Sequence, residues 1–270
     1  MRRVSYTSFV FKSHRGFTVF CVLVAATFEF LVIKAITTAD LASMLPGFLS
    51  QLPERFQMIV NENLISQLTV SGGAAFGFSH PIMIVLLAIN AVSIPARHVS
   101  GSIEDGSMEV LLAHPFGRTR LVLSLWAATG VANLLVICGG LMGCVAALAV
   151  FHGLAAGFIV RLLAMGANLW LLFLLVQSVS MLASVYGGKG SKPAAWTAVI
   201  VMTFYVVHFL TPLWDALRVT TRFNVFTYYQ PQKLVLGEGS FGRDVLVLAV
   251  LTCICLLLSI HQFNRRDIPG

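Results

Sequence analysis

The chain has 270 residues, 57% of them hydrophobic and only 11% charged, with a mean hydropathy of +0.86 and a formal net charge of +7. An ordinary soluble domain carries about 25% charged residues, and a globule of this length has too much water-facing surface to hide so many apolar side chains. Disorder, a coiled coil and a secreted disulfide scaffold fall to the same arithmetic, which leaves an all-α polytopic membrane protein forming one transmembrane domain over residues 1–270.

The elements are set by charge-free stretches. No Asp, Glu, Lys or Arg lies between Glu62 and Arg97, Arg120 and Arg161, Arg161 and Lys189, Lys192 and Asp215, or Asp244 and Arg265. Each stretch suffices for a crossing of about 20 residues. In chain order, residues 1–15 form a basic arm carrying Phe9, Val10 and Phe11, read as an interfacial helix. The first span is 16–37, despite Glu29 and Lys34 within it. A long loop, 38–73, has apolar residues near helical spacing, broken by Pro46 and Pro53. The second span is 74–94, and Pro81 kinks it after His80. The third span, 121–150, carries Gly139 and Gly143 at the spacing of close helix approach, within the chain or between copies. The fourth and fifth spans are 159–186 and 193–210. Residues 211–243 form a second loop, rich in aromatics suited to the headgroup level, as a plain belt or as a gate. The sixth span is 245–260.

Six spans put both termini on one side. With the termini inside, the inner segments hold 11 of the 18 Lys and Arg and a net charge of +7, and the outer segments have a net charge of zero. This bias places the termini in the cytoplasm. The basic balance is thus a topology signal and an attraction to anionic lipid, with no nucleic-acid partner implied. The five cysteines, Cys21, Cys138, Cys144, Cys253 and Cys255, lie in or near spans without a C-x-x-C pair and read as small buried apolar residues.

The inner piece, residues 95–120, carries the most information. Ser102 followed by Asp105 has the form of a helix start, and Glu104, Asp105 and Glu109 sit in early turns where the helix dipole favours negative charge. Ile103, Ser107, Val110 and Leu111 share one face with His114, widened by Met108 and Leu112, and Pro115 ends the helix. A short amphipathic helix between two membrane helices is either an interfacial connector or a docking element for a partner's groove.

The run Glu104, Asp105, Gly106, Ser107, Met108, Glu109, Val110, Leu111, Leu112, Ala113, His114, Pro115, Phe116, Gly117, Arg118 resembles the signature of the ABC-2-type permease family. That signature is an acid, Gly-Thr-Leu-Glu, a Leu pair, a Pro and a basic residue; Ser107 and Met108 stand for its Thr and Leu. Ser124 lies where the family often has a Lys. The ending Phe263-Asn264-Arg265-Arg266-Asp267-Ile268 is similar to the family's F-x-R-R-D-[LI] tail, and Tyr228-Tyr229-Gln230-Pro231 resembles one branch.

The resemblance implies the membrane subunit of an ABC exporter in the cytoplasmic membrane of a prokaryote. It pairs with a second permease subunit, identical or not, and docks a separate cytoplasmic ATPase through Ile103, Glu104, Gly106, Ser107, Met108, Glu109, Leu111, Leu112, Pro115 and Arg118. The arm is similar to the family's connecting helix, which also touches the ATPase. ATP and Mg²⁺ belong to that partner, and this chain is expected to bind no cofactor or metal. Its one near miss to a phosphate-binding loop, around Gly188-Lys189-Gly190, has Gly190 where Ser or Thr is needed.

Two polar residues in the spans remain as candidates for a path or dimer seam, Glu29 and His80. An ionisable residue at membrane depth must face protein or water. His80 and His208 have no second metal ligand at i+3 or i+4, so structural roles are expected. The rival readings are an intramembrane enzyme and a non-transporting membrane anchor. The first lacks G-x-S-x-G and H-E-x-x-H. Substrate is not written in these residues.

Overall fold

A computed structural model describes residues 6–38, 69–113, 117–153, 155–187, 192–212, 214–238 and 240–266. Six helical segments among them are long and apolar enough to cross a membrane, and the described residues contain no strand. They are α1 (Tyr6–Thr38), α2 (Val70–Ser79) with α3 (Pro81–Pro95), α6 (Arg118–Phe151), α7 (Ala156–Tyr186), α8 (Lys192–Leu210) and α10 (Phe241–Arg265). A π-helix (Ala96–Gly101), α4 (Ser102–Glu104) and α5 (Ser107–Ala113) join the second span to the third. Two 3₁₀ turns (Asp215–Arg222 and Val225–Tyr228) and α9 (Pro231–Leu236) join the fifth to the sixth.

The basic arm is not a separate interfacial helix over its described part. It runs into the first span as one helix, because no breaker lies between Tyr6 and Thr38 and Gly16 alone does not stop a helix. Val10 is buried at one end of this helix, and Cys21, Ala25 and Ile33 are buried further along it. The most extensive packing in the fold is α1 against α6. Small residues permit it: a Cβ on Gly139 would stand 2.8 Å from the Val22 carbonyl oxygen, and one on Gly143 would overlap the Ala26 carbonyl. The Gly139–Gly143 spacing therefore serves contact within the chain.

Side-chain bonds to backbone fix the helix directions. Ser180 donates to the Val92 carbonyl at 3.3 Å and Ser100 to the Ser184 carbonyl at 3.2 Å, so the second and fourth spans run the same way. Val10, Val99, Met108, Leu121, Met181 and Phe263 share one buried cluster. This gathers both described ends of the chain and the α4–α5 connector at one end of the bundle, called here the terminal end.

At the opposite end the second span breaks between Ser79 and Pro81, as expected from Pro81. The His80 ring accepts from the Ile82 N–H at 3.3 Å and caps α3. The carbonyls left open at the end of α2 go to tyrosines: Tyr205 donates to Ser79 at 3.0 Å and Tyr229 to Phe78 at 3.4 Å. The aromatic loop thus divides by position. Trp214 and Phe223 are exposed, whereas Phe226 and Tyr229 are buried in the bundle. Arg161 closes α9 by donating to the Val235 and Leu236 carbonyls at 3.2 and 3.3 Å, where Gly237 turns the chain with φ of 84°.

Candidate functional site

The connector at the terminal end is built differently from the single helix expected of residues 103–114. Pro95 has no N–H to donate, and the chain passes it in a wider π turn rather than ending the second span there. After one short turn, α4, the helix stops at Asp105. Gly106 adopts φ of 75°, which side-chain-bearing residues rarely take. The cap of the next helix is Asp105, not Ser102: its carboxylate accepts from the Ser107 N–H at 2.9 Å and the Ser107 hydroxyl at 2.6 Å. Those two bonds hold the Asp105 carboxyl below its ordinary value of 3.8.

The break at Gly106 changes which residues face inward. Met108 is fully buried against the terminal cluster, and Ile103, Leu111 and Leu112 pack on it half-buried. Glu104, Asp105, Ser107 and Glu109 are exposed, and Val110, expected on the apolar face, is 66% exposed. The outer surface of the connector is therefore an apolar knob rimmed by three acids. Pro115, with His114 and Phe116, lies outside the described residues.

Arg118 does not belong to that surface patch. One guanidinium nitrogen donates to the carbonyls of Phe263, Asn264 and Arg266 at 3.2, 3.3 and 2.6 Å, capping the end of α10. Asn264 donates to the Thr119 hydroxyl at 3.1 Å, and Arg266 donates onward to the Val185 carbonyl at the end of α7. The basic residue of the inner motif and the carboxy-terminal motif are thus one fastening between the third, fourth and sixth spans. Cationic donors suit helix ends, where carbonyls are left unpaired.

The two polar candidates in the spans are placed apart from the connector. Glu29 has no exposed surface, and neither carboxylate oxygen has a hydrogen-bond partner. It lies against α2 at Gly77, where any side chain would overlap the carboxyl group. Glu29 is therefore enclosed by this chain alone. His80 is half-buried between the rings of Phe28 and Phe76, with centroids 4.9 and 5.3 Å away.

Two features had no signal in the sequence. His14 on α1 and His98 in the π-helix meet with their Nε2 atoms 3.1 Å apart. Beside α3, an apolar groove of about 380 Å³ runs along α8, lined by Val85, Ala88, Ile89 and Val92 and by Ala195 and Ala198.

Residues 11–268 match the family model described as an ABC-2 family transporter protein. No curated protein matches the chain.

Proposed function

This chain belongs to the ABC-2 transporter family as a multi-pass membrane permease, and we propose that its α4–α5 connector docks a separate cytoplasmic ATPase whose closure drives export. The observation that carries the proposal is the two-sided character of the α4–α5 connector. Met108 anchors one side in the bundle, and the other presents Glu104, Asp105, Ser107, Glu109 and Val110 to a partner. An apolar knob seated in a groove with opposite charges around it is a common way for a helix to dock.

The route from docking to transport follows the backbone. The connector continues through the π-helix into α3, so a push on α5 is delivered to one wall of the groove between α3 and α8. That groove is this chain's share of the substrate path, and a second permease subunit supplies the rest. The basic bias of the terminal end supports a cytoplasmic position for it. ATP and Mg²⁺ are bound by the ATPase.

Purification of the tagged chain from membranes in mild detergent, followed by mass spectrometry, tests this reading. It predicts a stoichiometric Walker-type ATPase that is lost on Glu109→Arg or Val110→Pro, with membrane insertion unchanged. Recovery of the permease without an ATPase, under conditions that preserve other membrane complexes, returns the weight to an anchor or an intramembrane enzyme.

A further inference from the structure

We propose that His14 and His98 form a two-histidine site for a divalent transition-metal ion that clips α1 to the π-helix. The residues are 84 apart in sequence, and each ring is about nine-tenths buried. Their ring centroids are 5.3 Å apart with planes at 66°, so the two Nε2 atoms face each other edge to face.

The spacing fits a metal as well as a hydrogen bond. Two Zn–N bonds of about 2.0–2.1 Å at a tetrahedral angle place their nitrogens about 3.3 Å apart. The observed separation is 3.1 Å, so the rings need a slight spread and a pivot that turns both nitrogens toward the ion. In the metal-free pair one neutral ring donates Nε2–H and the other accepts. To bind the ion, the donor ring moves its proton to Nδ1 through water and both Nε2 lone pairs turn to the metal, with no net proton released. Imidazole nitrogen is a favoured donor for zinc, nickel and copper.

The surroundings set a moderate affinity. No third His, Cys, Asp or Glu joins the pair among the described residues, so water completes the coordination. Arg97 next to His98 is exposed and adds a positive charge nearby. The elements joined are the arm helix and the segment leading to the connector, so a bound ion restrains their relative movement. The metal site itself does not rest on the docking proposal, because binding is read on the permease alone.

The experiment uses the full chain, without a histidine tag, in lipid nanodiscs and without ATPase. Zn²⁺ is titrated against a chromophoric chelator, and Cu²⁺ is followed by electron paramagnetic resonance. The proposal predicts one Zn²⁺ of moderate affinity per chain, weakened at least tenfold in both H14Q and H98Q, and a Cu²⁺ signal from two imidazole nitrogens in the wild type. The wild-type spectrum needs no variant to fold. Unchanged zinc affinity in the two variants, or a copper signal with a single imidazole, overturns the site.

Discussion

Arg118 donates to the main-chain carbonyl of Arg266 at 2.6 Å, joining the start of the third span to the end of the sixth across 148 residues of chain. Because the same guanidinium also serves Phe263 and Asn264, Arg118→Ala should open the last turn of α10. Hydrogen bonds from a charged donor contribute about 1.5–3 kcal/mol net, less where water reaches them. The expected result is a lower melting temperature in detergent and faster proteolysis near residues 264–266. Arg118→Lys should recover only part of the loss, since an ammonium can also donate from one nitrogen but sits on a shorter stem.

The α1–α6 contact gives a paired prediction. Gly143→Ala forces a methyl into the Ala26 backbone, which cannot swing aside, whereas Gly130→Ala meets the mobile tip of Leu174 at 3.0 Å. Overpacking that must move backbone costs roughly 1–3 kcal/mol. Thermal unfolding monitored by size exclusion should show Gly143→Ala clearly destabilised and Gly130→Ala much less so.

At the opposite end, Tyr205→Phe and Tyr229→Phe each remove a hydroxyl from an open carbonyl of α2. The expected loss is about 1 kcal/mol each, read as faster amide exchange confined to Val70–Ser79. Uniform acceleration across the bundle would contradict a local capping role.

The turn at Asp105 predicts a pH response by sign. Its carboxyl is held low by the Ser107 hydroxyl and N–H. A depressed carboxylate contributes stability that is complete above its unfolded titration range and lost as pH falls through the lowered value. Amide exchange in α5, corrected for intrinsic rates, should therefore not change between about pH 6 and pH 9 on this account. Asp105→Asn should accelerate it throughout that range, and Gly106→Ala should do so because φ of 75° strains a side-chain-bearing residue.

The six crossings were legible because hydropathy is local: five rest on charge-free stretches, and the first stays apolar around Glu29 and Lys34. Pro81 was legible for the same reason, since its missing N–H acts on its own helix. The rephasing of α5 was not. Helical periodicity carried through Asp105–Gly106 puts Val110 on the apolar face, and only the left-handed turn at Gly106 sends it outward. Arg118 was singled out by its motif, but its partner lies 148 residues away and its target is backbone, which leaves no mark in composition. His14 and His98 were invisible for the same reason, and the enclosure of Glu29 depends on a glycine in another helix.

The connector divides into an anchor and a docking face, and a photo-crosslinker at Val110 tests that division most directly. Benzoylphenylalanine at Val110, 66% exposed on the connector, is compared with the same probe at Val131, 45% exposed on the third span. Irradiation of intact membranes should join the ATPase subunit to the Val110 probe and not to the Val131 probe. Failure of the Val110 probe to join an ATPase that copurifies with the chain, or equal joining from Val131, would contradict the docking face.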